Sequence, residues 1–357
     1  MINFAVGPVM MSHEVKELGS HEIPYFRTPE FSELMKENEQ LLLRFFHAPE
    51  NSRCVFLTGS GTAAMEAAVI NSFTKRDKVL VINGGSFGER FAQICSTYAI
   101  PFEQIKLEYG SPLTASHLQH YENAGFTGFL VNLHETSTGV LYDAALIGEF
   151  CRRNRLFLVV DCISAFLADD FDMAAIGADI ALTGSQKALA VPPGVSILVM
   201  NEIAVKRAQE NLTPCIYLNL ANHLKNMERG QTPFTPAVGI LIQMNARLKA
   251  IDINGVAAEV ARTKELAQDF RKKITALGCS FLTESKSNAV TSVVVGEGIS
   301  PRKIFETLKD EYGIYICPNG GELGEKVFRV GHIGNLTLKD NDELIKALHD
   351  LKGRGLL

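Results

Sequence analysis

The sequence predicts an α/β protein: a large domain with a mostly parallel sheet covered by helices on both faces, then a smaller C-terminal α+β domain. Three observations predict it. From about Arg53 to Met200, short apolar runs alternate with stretches of helical character. Most of those runs are continuous in Val, Ile, Leu and Phe, as strands buried on both faces require. Near Asn254 the texture changes to one long helical segment followed by shorter strands. The expected division is residues 1–253, an N-terminal segment with the large domain, and residues 254–357, the small domain, with a cleft between them.

Taken in order, the strands expected of the large domain are Cys54–Thr58, Lys78–Asn83, Gly128–Leu133, Leu156–Asp161, Asp179–Thr183 and Ser196–Met200. Helices are expected between them at Ala63–Phe73, Gly88–Tyr98, Ala144–Arg153 and Met173–Ile176. Strand-helix alternation of this kind builds parallel crossovers, and ligands then bind at the carboxyl ends of the strands. In the small domain, a helix over Val256–Leu277 precedes strands at Ser280–Thr283, Thr291–Val295, Tyr315–Cys317 and Val327–Gly331. Helices at Pro301–Glu311 and Asp340–Lys352 complete it.

Composition excludes several function classes. Of 357 residues, 46% are hydrophobic and 21% charged, with a formal net charge of −5 and no Lys/Arg-rich block. Nucleic acid and anionic membrane are therefore not expected partners. No apolar stretch reaches membrane-span length unbroken, and Met1 to Met11 lacks the basic start and apolar core of a secretion signal. Seven cysteines, an odd number with no CxxC pair, argue against a disulfide framework and a zinc site. They fit a reducing cytoplasmic setting.

The stretch Leu182-Thr183-Gly184-Ser185-Gln186-Lys187 puts a lysine just before an uncharged, mainly apolar run from Ala188 to Met200. Desolvation there disfavours the ammonium, and a neutral amine can attack a carbonyl to form a Schiff base. The apolar run Leu156–Val160 ends in Asp161, and the interval to Lys187 holds one strand-helix-strand unit. Both residues then reach the same sheet edge. Together they suggest pyridoxal 5'-phosphate (PLP), whose aldehyde takes a lysine and whose pyridinium nitrogen takes a carboxylate.

Other motifs are individually weaker. Gly59-Ser60-Gly61-Thr62 opens an Ala-rich helix, where backbone N–H groups and the helix N-terminus suit a phosphate; a plain strand-to-helix turn reads equally well. Phe87 tips the turn Asn83-Gly84-Gly85-Ser86-Phe87-Gly88, placed either to stack on a flat heterocycle or to fold onto the core. His134-Glu135-Thr136-Ser137-Thr138-Gly139 is not HExxH, so no metal is expected. Its hydroxyls suit a phenolate oxygen or a helix cap. Arg329, in an otherwise apolar strand, requires an anion: a substrate carboxylate or an internal acidic partner. His332 reads as a packing or surface histidine.

In this order and spacing the motifs resemble the class V aminotransferases, fold-type I PLP enzymes that include alanine–glyoxylate, serine–pyruvate and 2-aminoethylphosphonate–pyruvate transaminases. The resemblance runs from Val6-Gly7-Pro8 to Arg329-Val330-Gly331-His332-Ile333-Gly334. It rests on Ser185-Gln186-Lys187 with Pro192-Pro193-Gly194, on Glu135-Thr136-Ser137-Thr138-Gly139 and on Gly59-Ser60-Gly61-Thr62.

The resemblance implies that Lys187 holds the cofactor and shuttles a proton, while Asp161 keeps the ring nitrogen protonated. It implies that Phe87 stacks on the ring and that Thr136 meets the phenolic oxygen. Ser60, Gly61, Thr62 and Gln186 cradle the phosphate, with Thr235 reaching in from the partner of a homodimer. Arg329 binds the carboxylate of an amino acid or keto acid. Some relatives carry a serine where this chain has Ala165, which removes one polar contact.

The expected reaction moves an amino group from a small donor, such as alanine or serine, to pyruvate or glyoxylate. The alternative is a 2-aminoethylphosphonate–pyruvate transaminase, and further behind stand a PLP-dependent lyase or desulfurase and a non-catalytic relative. The region Asn319 to Lys326 lacks an obvious counterpart of a desulfurase's reactive-cysteine loop.

Overall fold

In the computed structural model, which describes all 357 residues, the apolar runs pair into one seven-stranded sheet. Across it the strands lie in the order Arg53–Thr58, Val195–Met200, Ile180–Gly184, Phe157–Asp161, Gly128–Asn132, Val79–Asn83 and Phe102–Lys106. Neighbours are parallel, except that Val195–Met200 runs antiparallel to both strands beside it. The four central strands of this order that hold residues 128–200 are buried along their whole length, which explains their unbroken apolar composition.

Successive side chains enter different cores. Leu80 and Ile82 pack with Met35, Phe45 and Leu248, whereas Val79 and Val81 pack with Ala64, Ala68 and Phe91. Helices Pro29–Phe45, Ala144–Asn154 and Val238–Asn254 supply the first core, and Gly61–Ser72, Ser86–Thr97 and Glu202–Glu210 the second. Every parallel strand therefore delivers its carboxyl end to one edge, where Asn83, Asn132, Asp161 and Gly184 stand.

The C-terminal portion forms a four-stranded antiparallel sheet in the order Ser280–Phe281, Val290–Val294, Val327–Gly331 and Cys317–Pro318. Helices Val256–Ala276, Pro301–Tyr312 and Leu338–Gly353 pack on it through Phe270, Ile304 and Leu344. Phe4 belongs to the same core, and Ile2–Asn3 pairs in parallel with Ile314–Tyr315. The chain's first residues are thus anchored on the C-terminal unit.

Two elements differ from expectation. The edge strand Phe102–Lys106 was not anticipated: only Ile105 is buried, so it lacks a continuous apolar run. The single strand expected at Tyr315–Cys317 is two short pieces, Ile314–Tyr315 and Cys317–Pro318, which pair with different partners. His332 is a packing histidine, buried 5.4 Å from the Phe270 ring centroid with Nε2 2.8 Å from Thr291 Oγ1. No helix is long and apolar enough to cross a membrane.

Candidate active site

Lys187 follows the Ile180–Gly184 strand in a turn that Ser185 closes. The Ser185 hydroxyl donates to Pro192 O at 2.7 Å and accepts from Val195 N at 3.2 Å. The lysine is only 8% exposed, and its Nζ donates to Val6 O at 2.6 Å. Gly7 allows that approach: its φ is +133°, and a Cβ there would stand 2.9 Å from Lys187 Cδ. Burial brings the Lys187 pKa down to about 8; nearby Arg329 pushes the same way and Asp161 opposes.

Asp161 ends its strand beside Asn132 on one side and Leu182 on the other. Its Oδ1 accepts from Ile163 N at 2.8 Å. Burial drives its pKa up to about 7, against the Ile163 N–H and the cations Lys187 and Arg90, which lower it. Asp161 and Lys187 face one another electrostatically but are not joined by an ion pair. A buried carboxyl without a bonded cation suits a protonated ring nitrogen.

The Phe87 turn is held by a residue whose role the sequence did not disclose. Glu135 is fully buried, and its Oε2 accepts from Phe87 N at 3.2 Å, Gly88 N at 3.0 Å and Asn132 Nδ2 at 2.8 Å. Its Oε1 accepts from Ser137 N at 3.1 Å and Ser137 Oγ at 2.5 Å. Gly85 leaves room for it, since a Cβ there would stand 2.6 Å from Glu135 Cδ. Phe87 itself is half-buried.

Thr136 lies next along the chain, with its Oγ1 2.5 Å from Ser164 Oγ. A hydroxyl neighbour is therefore present, supplied by buried Ser164 rather than by position 165. Arg329 Nη1 donates to Thr136 O at 3.0 Å and Nη2 to Pro318 O at 3.4 Å. Its buried Nε has no partner and no carboxylate pairs with it, which leaves a half-buried cation that calls for an anion. A cavity of about 640 Å³ opens on Phe87, Ser137, Lys106, Asn319 and Arg329. Its walls include neither Lys187 nor Asp161.

Ser60 caps helix Gly61–Ser72 without a side-chain cap bond, leaving its hydroxyl uncommitted to the helix. Gly61 packs against the side chain of Ile163, two residues beyond Asp161: a Cβ there would stand 2.3 Å from Ile163 Cδ1, so a larger residue would require that side chain to shift. Thr62 Oγ1 accepts from Arg90 Nη1 at 3.1 Å, and the Arg90 guanidinium sits 5.1 Å from the Phe87 ring centroid. Gln186 is half-buried beside Lys187. Within one chain, then, contacts tie Thr62, Phe87, Thr136 and Arg329 into the region of Lys187 and Asp161. Thr235 itself bonds to none of them, although, two residues on, Ala237 N donates to Thr58 Oγ1 at 3.1 Å, just before the Gly59-Ser60 turn. Thr235 is exposed and lines a different cavity with Ile23, Tyr25 and Phe26.

The family profile described as Aminotransferase class-V matches residues 20–328. The chain belongs to the class V aminotransferases. An uncharacterized aminotransferase of Methanocaldococcus jannaschii is 31% identical over 92% of this chain and 86% of its own length. A protein of Anabaena cylindrica named soluble hydrogenase 42 kDa subunit is 30% identical over 93% of this chain and 87% of its own. The crystal structure of alanine–glyoxylate aminotransferase from Nostoc sp. superposes with a TM-score of 0.92 at 26% identity, covering 98% of this chain and 95% of that one.

As a class V aminotransferase the protein is a PLP-dependent enzyme of fold-type I. The residues present fit that group. A buried amine of lowered pKa, a buried carboxyl without a bonded cation, an aromatic at a turn and an uncapped helix N-terminus match its aldehyde, ring nitrogen, ring face and phosphate.

Proposed function

We propose that this aminotransferase moves an amino group from a small amino donor such as alanine or serine to glyoxylate or pyruvate. The observation that carries the proposal is Arg329, a half-buried guanidinium with an unpartnered Nε that lines a cavity with Phe87 and Ser137. A planar fork in that position selects an α-carboxylate by two-point contact. Bound PLP supplies an electrophilic carbonyl carbon and a ring that accepts electron density. Lys187 Nζ, neutral above about pH 8 in its buried surroundings, serves as the amine and as the base that moves the substrate's Cα proton. Asp161 holds a proton at the ring nitrogen, Phe87 covers a ring face, and Thr136, with Ser164 behind it, faces the phenolic oxygen. Ser60, Gly61, Thr62 and Gln186 take the phosphate, and Thr235 is contributed by the second subunit of a homodimer.

Lys106 favours a second reading, a donor with an anionic side group such as 2-aminoethylphosphonate. It reaches the same cavity without an ion-pair partner. A donor panel separates the two. Each amine is mixed with enzyme in the absence of keto acid, and the loss of the bound cofactor's yellow absorbance is recorded. Alanine or serine should convert the cofactor to pyridoxamine phosphate, and glyoxylate or pyruvate should restore it. Steady ammonia or sulfide release without a keto acid would overturn transamination. Borohydride should fix the cofactor on Lys187 and leave Lys187→Ala unlabelled; an adduct on another lysine would refute the assignment.

A further inference from the structure

We infer that Arg90 is a positioning residue for the cofactor's phosphate, acting through the Thr62 hydroxyl. The inference rests on the reading of Ser60–Thr62 as the phosphate turn. Arg90 and Phe87 lie three residues apart on helix Ser86–Thr97, hence on one face. The guanidinium sits 5.1 Å from the Phe87 ring centroid while its Nη1 donates to Thr62 Oγ1 at 3.1 Å. No carboxylate pairs with Arg90, although it is half-buried. A cation kept out of bulk water without a counterion is costly, unless an anion arrives to share its position.

A threonine hydroxyl has one donor and two acceptor sites. Arg90 occupies an acceptor site of Thr62, and the Thr62 O–H donates to no group of the protein. The proton is thereby free to point toward an incoming oxygen. Thr62 is the second residue of helix Gly61–Ser72, where first-turn N–H groups carry partial positive charge. Lys187, the other cation near Asp161, is drawn toward its neutral form by burial. Arg90 is then the full positive charge that a phosphate at this turn meets, and its cation–π contact with Phe87 fixes the spacing between phosphate turn and ring face.

The experiment compares binding of PLP and of pyridoxal, which lacks the phosphate, to the apo forms of the parent, Arg90→Gln, Arg90→Lys and Thr62→Val. Inorganic phosphate serves as a competitor. If Arg90 acts through the phosphate, Arg90→Gln weakens PLP roughly 10- to 100-fold and changes pyridoxal less than about 3-fold. Phosphate competes less well in that variant, and Arg90→Lys falls between it and the parent. Acting through Thr62, the Arg90→Gln and Thr62→Val losses are sub-additive in the double variant. Equal loss of PLP and pyridoxal would make Arg90 a structural tie between two helices and overturn the inference, as would unchanged PLP affinity in Arg90→Gln. A parent that binds PLP and pyridoxal equally would overturn the phosphate turn itself. Arg90→Lys keeps the test open should Arg90→Gln fail to fold.

Discussion

Glu135 accepts from five donor groups in full burial, two of them backbone N–H groups of the Phe87 turn. Glu135→Gln keeps the shape but turns an amide N–H₂ toward groups that are themselves donors. It should cost about 1–3 kcal/mol in denaturant unfolding and loosen the Phe87 turn, weakening PLP binding. Unchanged stability and affinity would remove Glu135 from the turn's support. Arg329→Lys retains the charge but not the fork, and Arg329→Ala loses both. We expect kcat/KM for keto acids to fall by the equivalent of about 2–5 kcal/mol in Arg329→Ala, with Arg329→Lys also impaired. An unaffected Arg329→Ala would make the arginine structural. That Lys187, Asp161 and Arg329 are drawn out of solvent was legible in the sequence, because a charge inside an apolar run declares itself. The roles of Glu135, Arg90 and Ser164 were not. The contacts that tie Glu135 to Phe87, Arg90 to Thr62 and Ser164 to Thr136 span 28 to 48 residues, so the neighbouring sequence does not reveal them.

At the scale of elements, expected strands match the observed ones wherever both faces are buried, since the apolar run and the strand are then the same object. The edge strand Phe102–Lys106 escaped because it alternates with solvent, and the split near Ile316 because two adjacent short pairings look like one run. Helix Pro29–Phe45 carries its own start signals in the sequence: Thr28 caps it and Pro29 stands at its first position. A contact between units also depended on folding. Asp169, from the large-sheet portion, accepts from Ser287 Oγ at 2.5 Å and Asn288 N at 2.7 Å, just before strand Val290–Val294. Burial lifts its pKa from the ordinary 3.8 to about 6, although its two donors and nearby Arg271 pull downward. With the folded pKa raised, the folded chain binds the proton more tightly. This contribution to stability is complete below about pH 4 and is lost as pH rises to about 6. Asp169→Asn removes the titration, so its Tm should decline less steeply than the parent's between pH 4 and 6. Parallel Tm curves across that window would show that Asp169 is not the titrating group.

On the scale of the whole molecule, one chain leaves an apolar groove on its surface. Ile23 is 66% exposed and Tyr25 70%, and the groove they share with Phe26 and Ile240 also holds Thr235. In the homodimer proposed above, a second copy of the chain covers that patch and Thr235 serves the neighbouring phosphate turn. The segment is well braced for this. Arg27 Nη1 donates to Gln231 Oε1 at 3.1 Å and Thr232 O at 2.8 Å, and Gln231 Nε2 donates to Ser32 Oγ at 2.7 Å, so Thr235 projects from an anchored base. If sites are shared, PLP affinity should fall on dilution toward monomer, because part of the phosphate cup leaves with the partner. Tyr25→Asp, a charge placed in the groove, should shift the equilibrium to monomer and weaken PLP together. Mixed dimers give the decisive measurement. A Lys187→Ala subunit retains Thr235 and donates it to a Thr235→Ala subunit that retains Lys187, so one site per mixed dimer is complete. PLP affinity at that site should recover relative to the Thr235→Ala homodimer. A fully active, PLP-saturated monomer would rule out the shared site, and a mixed dimer no better than Thr235→Ala alone would keep Thr235 within its own subunit.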